Sequence, residues 1–166
     1  LSLIGPYFSQ PTSPVVLVSH AEAKFIEAEA KLILGDVAGA QQALLAAVNS
    51  SFDKVLVGST DPAANAANRA SYLQAKATLG GNEAQNLETI ITQKYIALFT
   101  QPEAWTDYRR TGYPALAPAV GGSHSLNPNG QIPRRMPYPL VEVNLNPNIP
   151  TTAATHQEPK FWWDIQ

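Results

Sequence analysis

Proline decides where this chain can be helical. Nine of its 14 prolines lie between Pro114 and Pro159, with Gly, Asn and Ser filling the gaps. Each proline removes a backbone donor and clashes with the preceding turn, so this stretch cannot sustain helix. Yet Ile132, Met136, Tyr138, Leu140, Val141, Val143, Leu145 and Ile149 keep it apolar enough to pack. The pattern predicts an ordered, irregular wrap over residues 113–166, with residues 121–130 as its mobile loop. At the other end, Pro6, Pro11 and Pro14 with Gly5 and several Ser predict an extended lead-in over residues 1–18. The helices are left to residues 19–112.

Periodicity there supports them. Ser19 with Glu22 has the form of a capping box, in which each side chain satisfies the other's free backbone N–H. The helix that follows puts Phe25, Ala28 and Leu32 on one face with Ile26 and Ile33 flanking, and Gly35-Asp36 stops it. A second helix, residues 37–49, keeps Ala40, Leu44, Ala47 and Val48 in phase. This hairpin resembles a tetratricopeptide repeat, with small residues at Ala28, Ala40 and Ala47 where two helices approach closely. Lys24, Glu27 and Lys31 depart from that pattern, and Phe52 stands where a proline often closes the unit. Residues 62–79 and 82–99 form a second helix pair around the Gly80-Gly81 break. In the latter helix Leu87, Ile90, Ile91, Tyr95, Leu98 and Phe99 make one stripe. A short helix then carries Trp105, Tyr108, Arg109 and Arg110 to Gly112, and this corner is expected to clamp the helical part to the Pro-rich wrap.

With 166 residues the chain is large enough for one domain, or for part of a larger one. Its start at Leu1, without an initiator Met, reads as a fragment or processed product. The net charge of −2 gives no footprint for nucleic acid. Cysteine is absent, which removes disulfide frameworks and thiolate metal sites. No apolar run approaches the roughly 20 residues that span a bilayer.

Four separated stretches carry a family resemblance: QKYIALF, EAWTDYRRTGYP, IPRRMPYPLVEVNLNPN from Ile132 to Asn148, and FWWD near the C-terminus. In this order they resemble the C-terminal part of the SusD/RagB family of outer-membrane nutrient-binding lipoproteins. The resemblance implies a mostly α-helical protein, non-catalytic and without cofactor, that captures an oligosaccharide or other nutrient beside a SusC-like TonB-dependent transporter. It also implies a lipid anchor in residues upstream of this chain. A helical-repeat scaffold binding protein or peptide is the alternative, and an enzyme built on distant carboxylates a second rival.

Residue by residue, catalytic chemistry finds no foothold. His20, His124 and His156 lack metal-ligand spacing and an oriented second group, so each reads as structural or solvent-facing. The hydrolase elbow, the dinucleotide fingerprint and the phosphate-binding loop are all missing. Glu103 and Asp107 sit four apart, but Arg109 and Arg110 offer them local ion pairs. The two arginines also suit distant acceptors, such as Glu142 or backbone carbonyls near the C-terminus. For a sugar the candidates are flat aromatic faces. Trp105 continues the stripe of Leu98 and Phe99 and reads as core, which leaves Trp162 and Trp163 as candidate ligand contacts. Alternation along Phe161, Trp162 and Trp163 is expected to expose one ring and bury its neighbour.

Overall fold

A computed structural model describes residues 5–56, 59–125, 127–149, 157 and 159–164, leaving aside the side chains of Pro6 and Tyr7. His156 lies outside the described residues. The chain is mostly helical: α1 Pro6–Ser9, α2 His20–Ile33, α3 Val37–Leu56, α4 Ala66–Lys76, α5 Glu83–Ala97, α6 Glu103–Thr111 and α7 Leu140–Leu145. It divides into two compact units, the first ending at Trp105 and the second beginning at Thr106. Among the described residues there is no strand, only an isolated antiparallel bridge between His124 and Asn127.

In the first unit α2 packs most extensively against α3, and then against α5. Local chemistry sets the α2–α3 corner. Ser19 Oγ accepts from the Glu22 N–H at 3.1 Å, which is one half of the expected box; the full reciprocal box stands instead at α5, between Asn82 and Gln85. Gly35 takes φ 79°, donating to Leu32 while Asp36 donates to Lys31, and this double closure needs the left-handed conformation glycine adopts freely. The Asp36 carboxylate then accepts from the Gly39 N–H at 2.8 Å and so starts α3. Phe25, Ala28, Ala40, Leu44 and Ala47 are completely buried in the core that results. Ile26 and Ile33 lie outside it.

Several expectations are corrected here. The lead-in contains a helical turn, α1, because a proline at the first helical position brings a ready-made φ and loses no needed donor. Helix α3 continues to Leu56, two turns past the expected end, since Phe52 packs edge-on against Tyr72 at 5.3 Å where a proline would have stopped it. Helix α4 buries no residue fully, so it is no partner in a tight hairpin. Tyr72 and Leu73 lean partly buried on the core, and polar clamps add to that hold. Arg69 donates to Asn49 Oδ1 and the Asn49 carbonyl, each at 2.7 Å, and to Asp53 at 2.8 Å. Gln41 donates to the Ala77 carbonyl at 2.8 Å and accepts from the Leu79 N–H at 2.6 Å. On α5 the stripe holds at Ile90, Ile91 and Leu98, whereas Tyr95 and Phe99 are exposed and Trp105 is half-buried rather than core.

The second unit also departs from expectation. Leu140–Leu145 forms a short helix, α7, despite the surrounding prolines, because Pro139 stands just before its first residue, where a missing N–H costs nothing. Met136, Leu140, Val141 and Leu145 are exposed, so apolar burial is not what organises this segment. Residues 121–130 close on themselves: Ser123 Oγ donates to the Pro128 carbonyl at 2.7 Å, and His124 and Asn127 exchange backbone hydrogen bonds.

Two outcomes are expected of the first unit. Ala40→Leu overpacks the α2–α3 core and costs roughly 1 to 3 kcal/mol, measured as a lowered midpoint in urea; an unchanged midpoint would mean the seam has room. Hydrogen bonds from Lys24 and then Lys31 lower the Glu27 pKa from 4.5 to about 2. A depressed carboxylate stabilises above its unfolded pKa and loses that contribution as pH falls through the folded value. The melting-temperature gap between this protein and Glu27→Gln should therefore narrow as pH drops from neutral toward about 2, and narrow also with salt.

Candidate functional site

Within the second unit three short pieces of chain meet: the end of α6, residues 134–135, and the turn from Phe161 to Asp164. Gly112 at φ 76° ends α6, its N–H bonded to the Tyr108 carbonyl at 2.8 Å. Thr111 Oγ1 donates to the Asp107 carbonyl at 2.8 Å, and Arg110 donates to the Asp107 carboxylate at 2.9 Å. The local ion pair expected for Asp107 is thus present. Glu142, offered as a distant partner for the arginines, instead accepts from Asn146 at 3.2 Å.

Arg109 points the other way and is buried. Its Nη1 donates to the Arg134 carbonyl at 3.2 Å, while Arg134 Nη1 donates back to the Arg109 carbonyl at 3.4 Å. Arg134 Nη1 also reaches Asp164 Oδ1 at 3.0 Å, and the Asp164 side chain is 0% exposed. Burial lowers the Arg109 pKa, opposed by the Asp164 carboxylate and reinforced by the Arg134 guanidinium. The backbone N–H groups of Arg134 and Arg135 both donate to the Gln157 carbonyl. Among the described residues, those buried in this unit are polar: Asp107, Arg109, Thr111, Asn127 and Asp164.

Aromatic rings flank these charges. Phe161 and Trp163 stack at 5.5 Å with planes 10° apart. Arg109 lies 4.9 Å from the Trp163 centroid, Arg134 lies 4.9 Å from Tyr108, and Arg135 lies 4.9 Å from Tyr138 and 5.5 Å from Phe161. Such contacts strengthen when the cation is desolvated. The Asp164 N–H closes the turn onto the Phe161 carbonyl at 3.0 Å. Trp162, on the outside of that turn, is 92% exposed, and Trp163 is half-buried.

The two candidate rings therefore have different surroundings. Trp163 faces the Arg109 guanidinium, whereas Trp162 presents an indole to solvent from a turn held on a rigid network. Elsewhere, His20 Nδ1 lies 3.3 Å from Ser50 Oγ and His124 sits in the bridged loop. Among the described residues no group of three His, Asp or Glu side chains could hold a metal ion, and no helix is long and apolar enough to cross a membrane. Sequence reasoning missed Arg134 and Asp164 as partners. The available signal was an adjacent arginine pair in one motif and a lone carboxylate ending another.

Removing Arg134 strands the buried Asp164 carboxylate, whose Oδ2 has no hydrogen-bond partner among the described residues. Arg134→Ala should cost on the order of 3 to 5 kcal/mol, whereas Asp53→Ala, an exposed carboxylate whose partner Arg69 keeps two bonds to Asn49, should cost under about 1 kcal/mol. Urea unfolding of both variants checks the contrast, and equal losses would contradict it.

Residues 2–139 match the SusD-like family described as starch-binding and associating with the outer membrane. A solved SusD homologue from Bacteroides fragilis is 30% identical over 82% of this chain, with a TM-score of 0.64, and this chain spans 31% of that chain's length. Among curated proteins none matches. A match over most of the chain, joined to a mostly helical fold shared with that homologue, means that the chain belongs to the SusD-like family.

Proposed function

We propose that this chain is part of a non-catalytic glycan-capturing component of an outer-membrane uptake system. It would work beside a SusC-like TonB-dependent transporter, at the cell surface, as a lipid-anchored protein. The support is the family itself, described as starch-binding and outer-membrane-associated, together with one observation in the second unit. Trp162 exposes almost its whole indole on a turn pinned by the Arg134–Asp164 pair. A flat aromatic face stacks on the apolar face of a sugar ring, while the indole N–H serves a hydroxyl. Holding that ring on a fixed turn removes part of the ordering entropy that binding otherwise costs.

In this reading Trp162 is the ligand contact, and Trp163, stacked on Phe161 and facing Arg109, helps hold the turn that carries it. Titration calorimetry of the chain with a starch-type oligosaccharide tests the assignment. Trp162→Ala should weaken binding about tenfold, the loss of one stacked ring, with the urea midpoint unchanged. Equal affinity in the variant would remove Trp162 from the site, and turnover of the oligosaccharide by purified protein would contradict the non-catalytic reading.

A further inference from the structure

The first unit contains a groove of about 350 Å³, a volume in the range of small-molecule sites. Phe8 of α1, Phe25 of α2, Val48 and Phe52 of α3 and Ile96 of α5 are among its walls. A sugar needs hydrogen-bonding partners on most of its edges, and these walls offer few. Gln93 also faces the groove, but its Oε1 already accepts from the Tyr72 hydroxyl at 2.9 Å. An apolar occupant suits such a lining, since burying a polar group without a partner costs free energy.

One residue along the groove carries a charge, Lys54. It also lines an adjoining groove of about 390 Å³, together with Phe8 and Glu103, so it stands where the two meet. Asp53, next to it in sequence, is paired with Arg69 at 2.8 Å, and Glu103 shares the second groove with it. An anion at Lys54 is therefore attracted at the junction and repelled from the second groove by Glu103. Its apolar body is directed into the first.

We propose that this groove binds an aliphatic carboxylate, the chain lying between α1, α3 and α5 and the carboxylate meeting Lys54. This site is separate from the Trp162 surface and does not depend on the glycan reading. Calorimetric titration of the chain with octanoate and with 1-octanol tests it, using Lys54→Ala and Ile96→Asp. Ile96 is 54% exposed, so a charge there leaves the core intact while spoiling the groove. Saturable one-to-one binding of octanoate is expected. Lys54→Ala should weaken octanoate roughly fivefold, the loss of one exposed ion pair, and leave octanol unchanged. Ile96→Asp should abolish binding of both with the helical circular-dichroism signal retained. Absence of saturable binding, an equal loss for octanol in Lys54→Ala, or self-association of the chain that Ile96→Asp reverses would each overturn the proposal, the last by showing that a second copy fills the groove.

Discussion

The ion pair between Arg134 and Asp164 holds the second unit together. Two charges out of water are expensive, and removing either one is worse than never having placed them. Here the cost is offset by crowding several favourable contacts onto the same groups. Arg134 serves the Asp164 carboxylate, the Arg109 carbonyl and the Tyr108 ring, and Arg109 returns a bond to the Arg134 carbonyl. A chain segment with nine prolines has few backbone ladders available to it. Side chains with planar, many-donor heads supply the bonds that its backbone cannot. This explains how residues 134–135 and 161–164 are held in place while Met136, Leu140 and Leu145 stay exposed.

The first unit follows a different logic. Its centre is apolar and closely packed, built from alanines that let α2 and α3 approach and from Phe25 and Leu44 that fill the space between. Polar side chains act at its edges. Asn86 binds the Gly81 backbone through both ends of its amide, at 3.0 Å each, and so fixes the entry to α5. Arg69 and Gln41 secure α4, which contributes little burial of its own. Helix α4 is accordingly the element of this unit that depends most on specific hydrogen bonds, and these tolerate substitution less well than apolar contacts that can be repacked.

For function, the consequence is a separation between what is held and what is offered. In the C-terminal turn, Phe161 and Trp163 are occupied by guanidinium groups, and the residue between them is turned outward. A residue so placed contributes nothing to packing, which frees its identity to serve a ligand. The groove of the first unit has the opposite character, concave and nearly uncharged, and the chemistry that suits it differs accordingly.

Sequence alone determined the mostly helical fold, the Gly35 and Gly112 stops and the burial of Ala28, Ala40 and Ala47, because each depends on neighbours within a few residues or on a single periodicity. It also marked Trp162 and Trp163 as candidate ligand contacts from ring chemistry. It could not say which of the two faces solvent, since alternation along a strand or turn implies that neighbouring rings differ and leaves open which is outside; the turn closed by Asp164 decides it. Tertiary structure alone decided the rest: that Phe52 extends α3 by meeting Tyr72, that α4 hangs on Arg69, and that Arg134 finds Asp164 thirty residues away. Such pairings leave no periodic trace, because a charge and its partner can lie at any separation along the chain and only folding brings them within 3 Å.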